Sequence, residues 1–297
     1  MKQTLFYLIC LLVVAMLIAG CTGTQAQKTV QPTSQTAVSQ SASQATVTTG
    51  TATISTPSVV TVGAPPTAAA PATVTPIPSK TPKPTATQKY APSIKSANYA
   101  KTIDNPYFPL TPGTTYLFNG TKDKSQLINE VVVTKKTRKI MGVTCVEVDS
   151  TVTVDDNLAE KTIGWYSQDK QGNVWFFGED AKQYSTSGKV TGTAGTFLAG
   201  SNSALPGIVM QANPTTDLSY RQDYYKGHAE DMAQVLSLTE SVNVTYGSYD
   251  NVLMTKEWSP LDAKVVENKW YAKGVGLVMS KTVQGGNEEM QLTSVTK

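Results

Sequence analysis

From Thr115 onward the chain alternates β-branched or aromatic residues with polar ones. The runs "EVVVTKKTRKI" (Glu130 to Ile140), "VTCVEVDSTVTV" (Val143 to Val154), "EKTIGWYS" (Glu160 to Ser167) and "NVWFFGED" (Asn173 to Asp180) all do this. A period of two predicts strands, because successive strand side chains point to opposite faces. Asp155-Asp156-Asn157 and "DKQGN" (Asp169 to Asn173) break the runs with turn residues. Antiparallel strands joined by hairpins are therefore expected. Val146, Val148, Val152 and Val154 share one parity, and that face is predicted to point inward.

The pattern repeats. Trp165-Tyr166 recurs as Trp270-Tyr271 and Gly142 as Gly247, at an offset of about 105, while Tyr116 with Tyr220 and Val174 with Val278 are offset by about 104. The sequence predicts two β-meander halves, 99–180 and 213–297, separated by an insertion over 181–212. The two halves would share one core as a mainly β, barrel- or sandwich-like domain. "HAEDMAQVLSL" (His228 to Leu238) leans helical by propensity. Its counterpart in the first half, "DKSQLINEVVV", ends as a strand, so Ala233 to Leu238 is predicted to be strand.

Composition divides the chain further. All 22 acidic residues lie from Asp104 onward, with 18 of the 25 Lys and Arg, so that part carries a net charge of −4 although the whole chain is +3. The basic balance belongs to the N-terminal segment, and no nucleic-acid partner is expected. Residues 21–98 are dominated by Thr, Ser, Ala, Gln, Val and Pro. Such a stretch buries too little apolar surface to offset chain entropy, so a disordered stalk is predicted. Ahead of it, Lys2 precedes an apolar run from Leu5 to Ala19, followed by Gly20 and Cys21. The run is short for a membrane-spanning helix and suits a signal peptide over residues 1–20.

The ending Ile18-Ala19-Gly20-Cys21 resembles the lipobox of prokaryotic lipoproteins. That resemblance implies diacylglyceryl modification of Cys21, cleavage before it, and a membrane anchor on the extracytoplasmic face. More than one acyl chain is what stable anchoring needs. With Cys10 removed and Cys21 lipidated, Cys145 is left without an intrachain partner and reads as a structural thiol. The stretches "WYSQDKQGNVWFFGED", "SYRQDYYKGHAEDMAQVL" and "TKEWSPLDAKVVENKWYAKGVGLV" resemble a family of uncharacterised secreted or lipid-anchored prokaryotic domains. No activity comes with that resemblance.

Candidate chemistry is sparse. His228 is the one histidine, which excludes multi-His metal sites, and no cofactor is expected. The acidic pairs Glu179-Asp180 and Glu230-Asp231, together with Asp223 and His228, are the residues that a hydrolase or a divalent cation would use. The insertion turns apolar at "ALPGIVMQA". Leu205, Ile208, Val209 and Met210 are the candidate lining of a groove for a small hydrophobic ligand or an envelope component. The sequence favours a non-enzymatic, membrane-anchored binding domain. The alternative is an extracytoplasmic hydrolase built on the acidic pairs or His228.

Overall fold

The computed structural model describes residues 89–216 and 218–297. Cys21, the signal segment and nearly all of the Thr/Ser/Pro segment lie outside the described residues. After a short 3-10 turn at Ser96–Asn98, the regular structure is all strand. The first meander comprises β1 (Thr115–Lys122), β2 (Ser125–Ile140), β3 (Val143–Val154), β4 (Asn157–Gln168) and β5 (Val174–Tyr184). Three short strands follow: β6 (Val190–Gly192), β7 (Phe197–Leu198) and β8 (Leu205–Met210). The corner strands β9 (Ser219–Arg221) and β10 (Asp223–Tyr224) lead into β11 (Met232–Val244), β12 (Gly247–Ser259), β13 (Asp262–Ala272), β14 (Gly276–Gln284) and β15 (Glu289–Thr296).

The antiparallel order is β10-β8-β5-β4-β3-β2-β1-β15-β14-β13-β12-β11-β9. The two meanders meet where β1 pairs with β15. The outer ends of the path, β10 and β9, are consecutive pieces of chain separated by Gln222 alone. There the chain leaves β11 and joins β8. Gly207 on β8 permits this corner, because a side chain at that position would strike the backbone of Arg221, Gln222 and Asp223. The result is one large sheet wrapped round a core rather than a barrel closed by its own ladder.

Turn chemistry sets the hairpins. Met141-Gly142 and Asp155-Asp156 both have positive φ at each position, as a two-residue turn matched to strand twist requires. In the second meander the tight turns are Thr245-Tyr246 and Pro260-Leu261. The register shifts between Trp165 and Tyr166 on β4 and again between Trp270 and Tyr271 on β13. At each shift the extra residue lies on the partner strand, while the Trp and Tyr of a pair, being successive strand residues, point to opposite faces. Both tyrosines are buried in the main core, where Phe108 lies between them at ring distances of 5.8 and 6.3 Å. Phe108 belongs to the segment 103–110, which enters the wrapped sheet and buries Ile103, Tyr107, Phe108 and Leu110.

Some expectations change. Phe177 and Val278 are the residues skipped at the two shifts, so Val278 matches Phe177 and not Val174. The physical reason is hairpin length: residues 167–176 separate Tyr166 from Phe177, whereas only 272–277 separate Tyr271 from Val278. Packing also begins earlier than residue 99. The Tyr90 hydroxyl donates to the Pro206 carbonyl at 2.8 Å. Ile94 and Tyr99 pack over an outer cluster of Ile140, Val143, Cys145, Trp165, Phe177 and Ala199. Cys145 is fully buried there, and burial pushes its thiol up to about 12.

The insertion is not a free loop. β6, β7 and β8 line up along the same edge of β5, with β8 against Val174–Phe176, β7 against Gly178–Glu179 and β6 against Gln183–Tyr184. Val209 and Met210 are buried in the main core, and Leu205 and Ile208 are half-buried. These four residues, the expected lining of an apolar groove, belong to a paired strand. Their apolarity is consumed by packing as a paired strand, and none of them lines either cavity described below.

Candidate functional site

Two cavities stand out among the described residues. The smaller, about 40 Å³, is apolar and sits in the core around Phe108, Tyr116 and Leu277. It is little more than a packing gap. The larger, about 770 Å³, is an open cleft beside the edge of β5. That volume is in the range of small-molecule sites.

Four separate stretches, together with Trp165 on β4, build the cleft. The first is the far end of β2. A register shift between Val133 and Thr137 breaks its alternation. Arg138 then lies over the Trp165 ring at 4.2 Å. The Trp165 indole N–H points to Glu147 Oε2 at 3.4 Å, and Lys136 pairs with the other Glu147 oxygen at 3.0 Å. These contacts fix the indole with its face taken by the guanidinium.

The second stretch is β5. Gly178 has φ +135°, and a side chain there would collide with the Phe197 carbonyl. Glycine therefore lets β7 come up against β5. Beyond it Glu179 is buried at 3% exposure, while Asp180 keeps about 40% of its side chain exposed and pairs with Lys182 at 3.1 Å. The third stretch, 192–204, supplies Thr193, Thr196 and Asn202 to the cleft wall. Thr196 is tied at its hydroxyl to both backbone groups of Ala181.

The fourth is the turn between β10 and β11. His228 N–H and Ala229 N–H both donate to the Tyr225 carbonyl at 2.8 Å. The Tyr225 and His228 rings stack at 4.2 Å with 16° between planes. Both line the cleft, and His228 is exposed.

Of the acidic candidates, Glu179 and Asp180 reach the cleft together with His228. Glu230 does not line it; its carboxylate accepts from Gly227 N–H at 2.8 Å and lies 3.9 Å from Arg221. Asp223 and Asp231 are buried behind the turn, at 0% and 6% exposure. The Asp231 N–H donates to Asp223 Oδ1 at 2.8 Å. Among the described residues no group of three His, Cys, Asp or Glu could hold a metal ion.

The residues not singled out from sequence are Arg138, Trp165 and Tyr225 in the cleft, and an ionic group in the interior. On β12 and β13, Glu257 stands directly opposite Glu267, and Thr255 opposite Lys269. Lys269 bridges the two carboxylates, at 2.7 Å to Glu257 and 3.3 Å to Glu267. All three charges are buried. Burial alone would lower the Lys269 pKa, but the two carboxylates outweigh it and raise it. Burial pushes Glu267 up to about 7.

No protein-family model matches the chain, and no curated protein matches its sequence. Among solved structures it is similar to a protein from Bacteroides fragilis NCTC 9343 described as exported and as having a YmcC-like fold. That match has 16% identity and a TM-score of 0.36, covering 64% of this chain and 99% of the other. It is also similar to a protein from Parabacteroides distasonis ATCC 8503 described as a lipoprotein, at 16% identity and TM-score 0.38, covering 65% of this chain and 99% of the other. No helix among the described residues is long and apolar enough to cross a membrane.

Proposed function

We propose that the chain is a lipid-anchored extracytoplasmic protein whose β domain binds a small polar ligand in the 770 Å³ cleft. The anchor rests on the sequence from Leu5 to Cys21. The binding role rests on one observation: the larger of the two cavities sets the stacked Tyr225–His228 ring pair beside unburied polar groups. Tyr225 and His228 offer stacked rings, while Asp180, Thr193 and Asn202 offer donors and acceptors around them. A sugar ring matches that pattern, with an apolar C–H face inside a rim of hydroxyls. The polar cleft replaces the hydrophobic ligand expected from Leu205 to Met210. The test is saturation-transfer NMR of the full chain in detergent with a panel of neutral and acidic oligosaccharides. Binding that drops at least about tenfold in Tyr225→Ala/His228→Ala supports the reading. Binding unaffected by that change places the ligand elsewhere.

Hydrolysis is the second reading, favoured by Glu179, Asp180 and His228 sharing one cleft. It requires turnover of a bound oligosaccharide that Asp180→Asn abolishes while binding persists. Binding without turnover leaves the non-enzymatic reading.

A further inference from the structure

Asp223 and Asp231 have no role in the cleft, yet they are held in an unusual setting. Asp223 ends the corner at which the sheet path crosses from β11 to β8, and Asp231 opens the way into β11. The seven residues between them form the turn that carries Tyr225 and His228 into the cleft. Two backbone bonds clamp the base of that turn. Asp231 N–H donates to Asp223 Oδ1, and Gln222 N–H donates to the Asp231 carbonyl, each at 2.8 Å. The remaining oxygens, Asp223 Oδ2 and Asp231 Oδ1, are buried and lack any hydrogen-bond partner. Two buried carboxylates with an orphan oxygen each cannot both be ionised at modest cost.

Something must neutralise one charge, and the nearby cations Arg221 and Lys269 do so only in part. Lys269 is already committed to Glu257 and Glu267. Arg221 faces Asp223 but also Glu230, and it lies over the Tyr224 ring at 4.6 Å. Ser259 donates to Asp231, and Glu179 adds a further negative charge from β5. A metal ion would need more ligands than these two carboxylates provide, since a calcium site takes about six to eight oxygens. A proton needs only one of the two orphan oxygens. We propose that the buried Asp223 and Asp231 carboxyls together hold one proton, on one or the other of them, and that this proton latches the 224–230 turn against the sheet. Its loss would leave two like charges in a dry site and free the turn, moving one wall of the cleft. Burial and the neighbouring carboxylates raise both groups, Asp223 to about 7, which puts the change near neutral pH. The proton is held below that pH and lost above it.

The latch itself does not depend on what the cleft binds. Hydrogen-exchange mass spectrometry of the full chain in detergent, corrected for intrinsic rates, reads it directly. The reporting amides are Tyr225, His228, Ala229 and Asp231, all hydrogen-bonded within the turn. Their protection should fall at least about tenfold between pH 5 and pH 9 in the wild type. Asp231→Asn and Asp223→Asn, each with one permanently neutral partner, should keep protection nearly flat across that range. Flat protection in the wild type overturns the latch whether or not either variant folds. So does an undiminished fall in both variants, or millimolar calcium restoring protection at pH 9, which would assign the site to a cation.

Discussion

Replacing Lys269 by Met tests how the interior is held together. The change removes an ammonium from between Glu257 and Glu267 and keeps roughly the same side-chain volume. Both carboxylates are more than nine-tenths buried and stand directly opposite each other across β12 and β13. Like charges in that position repel even on a sheet surface. In the interior, losing one partner of a buried ion pair costs about 3–5 kcal/mol. Some compensation exists, because the Tyr271 and Thr255 hydroxyls donate to Glu257 Oε1 at 3.1 and 2.9 Å. These bonds solvate Glu257 but cannot neutralise it. Protonation can, and it becomes easier as pH falls. We therefore expect urea unfolding, followed by tryptophan fluorescence, to show a loss of about 3–5 kcal/mol near pH 8 and clearly less near pH 5. Adding Glu257→Gln and Glu267→Gln should recover most of the loss. A loss below about 1 kcal/mol near pH 8, or the same loss at both pH values, would refute a structural role for the triad.

Four further outcomes follow from the same reasoning. Glu267, Asp223 and Glu288 have folded-state pKa values raised to about 7, 7 and 8, mainly by burial. Stability from raised carboxyls is fully present below their unfolded values and lost as pH rises through the folded ones, so chemical denaturation midpoints should fall between about pH 5 and pH 8; a midpoint that rises over that window contradicts the assignment. Trp165→Ala should cost about 3–5 kcal/mol by the same unfolding assay, and Trp270→Ala less, because Trp165 is buried and Trp270 only half-buried. Cys21→Ser should move the protein from the membrane fraction to the soluble one or leave it unprocessed, as read by lipid labelling and fractionation. Limited proteolysis with N-terminal sequencing should leave a resistant fragment that begins near Lys89 rather than near Tyr99, since Tyr90 and Ile94 are packed against the domain.

How much of this was legible depended on whether the signal was local. Period-two alternation is a property of neighbouring residues, so the strands and the inward face of Val146, Val148 and Val152 could be read directly. The strand over Ala233 to Leu238 was reached through its counterpart in the first meander, and it lies within β11. The interior charges were also written locally. Leu253, Thr255, Glu257 and Ser259 share one parity, as do Glu267, Lys269 and Tyr271. A charge at a core parity on two neighbouring strands, with opposite signs, signals a buried pair, but only once the pairing of β12 with β13 is assumed.

The cleft had no such signal. Arg138, Trp165, Asp180 and His228 are brought together by a register shift on β2, a glycine on β5 and a corner at Gln222, from positions up to 90 residues apart. Each of those devices changes where a side chain points without altering the hydrophobic pattern around it. "ALPGIVM" was ambiguous for the complementary reason. An apolar run reads the same whether it lines a groove or pairs as a strand, and the free edge of β5 decided between them. Val174 to Phe176 had an unpaired side that β8 could cover, and backbone hydrogen bonds along a buried edge outweigh the exposure a groove would need. Once β8 took that edge, the residues left to face solvent were those on either side of it, and the cleft formed there between β7 and the 225–228 turn.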